Sequence, residues 1–239
     1  FGCGKTMLLP IVGALKRIEL PIFVYEIEYV CALYFLKRMT LDAAVAMIRM
    51  LTDLALYNAM MSREINFRPD DLSSVFRNSS PLRYLRRLFA SGDEAIPARI
   101  KKEKPILLLG SHNLLPFSEP IFNALGSRLT WIEVVRHPLY MIKQQVKDME
   151  TLVGDVRDFT IYFSHQSRQI PFYALEWKDL FLASNPTEQA IYYTAKMTER
   201  IETKLSALSD SYGAKIFTIP FERFVLTPMP YLTKIAQFL

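Results

Sequence analysis

A chain of 239 residues, half of them hydrophobic and 13% aromatic, carries enough apolar matter for one sizeable α/β domain; this composition excludes a disordered chain. A net charge of +5 suits an anionic ligand and is too small to imply a nucleic-acid partner. Cys3 and Cys31 are the only cysteines, which excludes a disulfide framework and a cysteine-rich metal centre and leaves the compartment open.

The chain opens on FGCGKTMLLP. Gly2 and Gly4 let the backbone of the Gly2–Cys3–Gly4 run turn its N–H groups toward one anion. Lys5 adds a charge, Thr6 a hydroxyl, and a helix starting there adds its positive end. The loop points to a phosphate and does not choose between kinases, ATPases and sulfotransferases. A full Walker A motif needs an earlier glycine, at a position before residue 1.

The first helix is predicted over about 5–18, with Pro10 kinking or tightening it. Residues 20–26 read as a strand or an extended lead-in. Thr40 caps a long helix, whose apolar positions Leu41, Ala44, Val45, Ile48, Leu51 and Ala55 fall at helical spacing. Asp42, Arg49 and Asp53 interrupt this stretch, the longest apolar helical one, so no membrane span is expected. A turn-rich loop leads to Ser80-Pro81, which opens a basic helix ended by Gly92. Arg63, Arg68, Arg83, Arg86 and Arg87 cluster in this region. They read either as a patch for an acidic acceptor or as a solvated face paired with Asp70 and Asp71.

PILLLG (105–110) has the length of a buried strand, and His112 follows it. A helix is predicted over FSEPIFNALG. LTWIEVV (129–135) is the second buried strand; it delivers Arg136 at its carboxyl end, and Pro138 opens the next helix. Such an arginine can bind a phosphate through a bidentate fork or pair with a structural carboxylate. FTIYF and IPFYALEW read as irregular or extended. A long amphipathic helix from Pro186 and a last strand, AKIFTIP, complete the alternation. Tyr192 and Tyr193 on that helix fit core packing better than adenine stacking.

The expected class is α/β: a single domain over 1–239 with a three-layer, P-loop-type parallel sheet flanked by helices. A helical insertion over about 27–100 would hold the acceptor-binding region. The chain is expected to be cropped at both ends. It starts inside a phosphate loop and stops inside an amphipathic helix, so cytoplasm and Golgi lumen both stay open.

GCGKTML, VVRHPLYMI and IPFERFVLTPMPYLTKIAQFL, in that order, resemble the family of sulfotransferases that use 3′-phosphoadenosine 5′-phosphosulfate. The resemblance spans both ends and leaves about 20–100 unmatched. It implies that Gly2, Cys3, Gly4, Lys5 and Thr6 hold the 5′-phosphosulfate, that Arg136 holds the 3′-phosphate, and that adenosine 3′,5′-bisphosphate is the product. Gln144 stands where the family has a serine, eight residues after the arginine, and can still donate to phosphate. The lysine that many members place before the loop falls on Gly2, which leaves Lys5 to stabilise the bridging oxygen. The family's C-terminal Arg-Lys-Gly segment would lie beyond Leu239.

LLLGSHNLLPF resembles the family's strand that ends in Lys-Thr-His, which makes His112 the general base, with Glu119 as its rival. His137 reads as structural and His165 as a loop residue. The acceptor would be a hydroxyl or amine compound, with an anionic glycan among the candidates, and no metal is required. A P-loop kinase or NTPase is the alternative. It needs Mg²⁺ and usually an aspartate at a neighbouring strand end, where this chain has Gly110-Ser111-His112 and Arg136. A binding module with a relic nucleotide site is the third class.

Overall fold

Pro21 interrupts the pairing of the first two extended segments. In the computed structural model, which describes residues 3–71, 73–212 and 215–239, segment 105–110 runs parallel to 17–22. Ile106 donates to Arg17 and its carbonyl accepts from Glu19, both within 2.9 Å. The next ladder donor would be Pro21, which has no N–H. Ile22 donates to Leu108 instead, at 3.0 Å, and Gly110 then donates to Ile22. One extra residue on the 17–22 side makes this a bulge, and only isolated bridges remain, at Ile18–Ile106 and Ile22–Leu109.

The regular elements begin with helices α1 (Lys5–Gly13), α2 (Tyr25–Phe35), α3 (Leu41–Met60), α4 (Pro81–Leu88), α5 (Ile96–Glu103) and α6 (Glu119–Leu125). Strand β1 (Trp131–Val135) and helix α7 (Pro138–Thr151) follow. Next come β2 (Tyr162–His165), β3 (Arg168–Pro171), α8 (Lys178–Ala183) and α9 (Pro186–Tyr212). The chain ends with β4 (Ile216–Pro220), α10 (Phe221–Leu226) and α11 (Pro228–Phe238). No described helix is long and apolar enough to cross a membrane.

The chain divides into two compact units. The first holds Cys3, 25–48 and 112–239, and the second holds 4–24 and 49–111. In the first, β1 and β4 form a two-stranded parallel sheet, with Trp131 opposite Ile216 and Val135 opposite Pro220. Leu115, Phe122 and Leu208 form a core there, and the indole of Trp131 stacks on Phe122 at 5.7 Å. Helix α7 packs on α9. β2 and β3 pair antiparallel through Gln166 and Ser167, both left-handed at φ 49° and 61°, as a two-residue hairpin turn requires. The protein is therefore a mostly helical α/β protein, and its sheet is smaller than the predicted alternation of strands.

The second unit is organised by buried charge. Glu19, 1% exposed, receives Arg87 through two bonds of 2.8 and 3.1 Å, and Arg87 also reaches Glu103 at 2.7 Å and the Ala59 carbonyl at 3.1 Å. The Tyr84 hydroxyl accepts from the Leu20 N–H at 2.9 Å and from Arg83. Helix α4 is thereby fastened to the 18–20 segment, with Leu20, Val75 and Tyr84 as the apolar contact. Of the five clustered arginines, Arg87 is thus buried, and Arg83, 31% exposed, is bonded to the Ile18 carbonyl and Tyr84. Arg63 pairs with Asp93 and Arg68 with Asp71 at the surface, where Arg86 of α4 is exposed too.

Candidate active site

In the first unit, α2 places Tyr25, Glu28, Tyr29 and Ala32 on one face, the spacing of helical neighbours. Opposite them the chain turns at His112 and Asn113. Asn113 takes a left-handed backbone, φ 47°, a conformation that asparagine tolerates better than most side chains. These residues line a cavity of about 170 Å³. Its other walls include Phe117, Phe159, Phe172, Tyr173 and Tyr193.

One oxygen of Glu28 holds His112 at two points. It accepts the backbone N–H at 2.9 Å and lies 3.1 Å from ring Nδ1. The imidazole also stacks on Tyr25, with centroids 5.8 Å apart and planes within 10°. An ionised carboxylate only accepts, so the Nδ1 contact needs a proton on Nδ1. In the neutral ring the lone pair then sits on Nε2. Burial, and next the charge of Glu28, raise the Tyr25 hydroxyl above its usual pKa.

The rest of the cavity rim is tied to the fold. Asn113 donates to the Tyr193 hydroxyl, and burial holds Tyr193 protonated well past the usual tyrosine range. Asp158 accepts from Tyr162 and from the N–H groups of Gly154 and Thr160. Arg157 is bonded to Asp155 at 2.7 Å.

The residues predicted from the sequence fall in both units. Gly2 lies outside the described residues, and Cys3 is half-buried. Gly4 caps α1 in the left-handed region, φ 96°, where glycine carries no steric penalty. Its carbonyl accepts from Met7 and Leu8. The N–H groups of Lys5 and Thr6 belong to the first turn, where a helix leaves its donors for an outside acceptor. Lys5 is half-buried and Thr6 exposed.

Arg136 follows β1, as predicted. Its guanidinium lies 5.0 Å from the Phe221 ring and 5.8 Å from Tyr140, with Nε 3.9 Å from Glu222. Glu222 also accepts the His137 N–H at 3.0 Å. That bond first, then its own backbone N–H and the charge of Arg136, hold its carboxyl below the usual range. The arginine thus has a carboxylate neighbour, and the 3.9 Å spacing makes this a loose pair.

Gln144 is exposed on α7 and donates to Asp148 at 2.8 Å. Glu119 opens α6, and after burial it is the neighbour that raises the Tyr34 hydroxyl above its usual pKa. His137 caps α7 by accepting from Leu139, and His165 meets Asp179 at 2.7 Å. Sequence reasoning missed Tyr25, Glu28 and Asn113; the helical spacing of Tyr25, Glu28, Tyr29 and Ala32 was the available signal. Among the described residues no group of three potential metal ligands occurs. No family model, curated protein or solved structure matches the chain.

Proposed function

We propose that the protein transfers a sulfuryl group from 3′-phosphoadenosine 5′-phosphosulfate to a hydroxyl or amine acceptor, on an α/β scaffold of the three-layer P-loop type. The observation that supports it most is the histidine of the resemblance, His112, held by Glu28 on the wall of a cavity. On this reading the acceptor's oxygen or nitrogen attacks sulfur and its proton passes to Nε2 of His112. The S–O bond to the 5′-phosphate breaks, and adenosine 3′,5′-bisphosphate leaves with the bonding pair. The resemblance assigns the charge on the departing oxygen to Lys5 and the 3′-phosphate to Arg136. Anionic glycans fit the cavity poorly: Glu28 and Asp158 lie in its wall, and its arginine, Arg157, is already bonded to Asp155.

The test is product formation from the phosphosulfate donor with a panel of acceptors, by wild type and His112→Ala. Turnover should fall by roughly 10²–10⁴ in the variant, the usual worth of a general base, with bisphosphate affinity unchanged. Near-normal turnover would remove His112 from the mechanism and promote Glu119.

A further inference from the structure

We infer that Glu28 is the positioning residue that fixes the tautomer of His112, and so decides which ring nitrogen accepts a proton. Its consequence for turnover rests on the proposed sulfuryl transfer; the tautomer itself rests on the contacts alone. Glu28 and His112 are 84 residues apart in sequence, yet a single carboxylate oxygen takes both the backbone N–H and ring Nδ1. Two bonds from one oxygen to one residue fix the ring's tilt as well as its place. Tyr25, one helical turn before Glu28, adds a stacking surface from the same face of α2.

The chemical effect follows from proton placement. A neutral imidazole in water prefers its proton on Nε2, which would leave Nδ1 as the acceptor. A carboxylate 3.1 Å from Nδ1 reverses that preference, because it can only receive a hydrogen bond. Nε2 therefore carries the lone pair. When Nε2 takes a proton the ring becomes imidazolium with both nitrogens protonated, and the charge of Glu28 stabilises it with no further transfer. The pair is partly sheltered, with 21% of the His112 side chain and 18% of that of Glu28 exposed. Water competes weakly for the bond while the ring stays reachable.

The chain has three histidines, so a ¹⁵N-labelled-histidine spectrum is tractable, and His112→Ala assigns the signal. At a pH where the ring is neutral, wild type should show His112 with its proton on Nδ1. Glu28→Ala should shift it mainly to Nε2–H and lower kcat by at least about tenfold, with KM and bisphosphate affinity unchanged, because a wrong tautomer costs the chemical step and not binding. A wild-type spectrum with the proton on Nε2 overturns the inference and needs no variant to fold. An unchanged tautomer in Glu28→Ala overturns it as well. If the tautomer shifts as stated while wild type makes no product from the phosphosulfate donor, the positioning role stands and the sulfuryl-transfer reading falls.

Discussion

Glu19 in the second unit and Glu28 in the first each accept from a residue far away in the chain, but the donors differ in kind. Glu19 is 1% exposed and meets a guanidinium that is itself 5% exposed. Arginine keeps its charge at any ordinary pH, so this pair can hold a helix in place and cannot move a proton. Glu28 is 18% exposed and meets a histidine, a side chain able to take up and release a proton, on a cavity wall. Buried ionic contact alone therefore says little about function. The titratable partner and the access to a cavity separate chemistry from architecture.

The largest stability effect should fall on the architectural pair. Arg87→Ala leaves Glu19 charged and buried, and should cost about 3–5 kcal/mol. Hydrogen exchange should show the loss in 17–22, 81–88 and 105–110. Replacing both partners, as Glu19→Leu with Arg87→Met, should recover most of it, since a well-packed apolar pair often equals a buried ion pair. A double variant no better than Arg87→Ala would mean that the charges do more than hold the fold.

Gly110→Ala probes the same unit by sterics. An added Cβ would lie 2.6 Å from Cε1 of Phe23 and 3.1 Å from Leu9. Overpacking of this kind should cost about 1–3 kcal/mol, read as a lower Tm. An unchanged Tm would show that the Phe23 ring yields freely.

Alkali should sharpen the comparison from the first unit's side. Burial raises the pKa values of Tyr162, Tyr173 and Tyr193 above the usual 10, and it pushes the Cys31 thiol up to about 12. A folded pKa above the unfolded one means that the stabilisation is complete below the unfolded value. It is lost as pH rises from there through the folded value. Above pH 10, tyrosinate absorbance from these groups should therefore appear together with loss of far-ultraviolet circular dichroism. Their ionisation in a protein with intact dichroism would contradict this burial.

Much of the local structure was legible in the sequence. The apolar run WIEVV, then Arg136 and a proline at a helix start, marks β1 and α7, and the period of 186–212 marks α9. Helix α2 fell within the expected helical insertion, but its cavity face was not singled out, because it lies in the stretch without a motif and mixes tyrosine and glutamate. The β2–β3 hairpin was hidden because Gln166-Ser167 lacks the Asn-Gly signature of its turn. The bulge at Pro21 depends on which segment lies opposite it. Glu19–Arg87 and Glu28–His112, 68 and 84 residues apart, are products of tertiary packing and leave no mark in local periodicity. Arg136 was readable as a residue at a strand's end and His112 as the residue after an apolar run, whereas the group that orients His112 was not.

The most direct test of the account is a titration without Mg²⁺ that compares adenosine 3′,5′-bisphosphate with AMP, on wild type and on Arg136→Ala. Wild type should bind the bisphosphate much more tightly. Arg136→Ala should weaken the bisphosphate by about 2–4 kcal/mol, the scale for losing a charged, partly buried contact, and leave AMP nearly untouched. Equal affinity of wild type for the two nucleotides would contradict the sulfotransferase reading. A similar loss for both in the variant would make Arg136, with its neighbours Glu222 and Phe221, a residue of the fold.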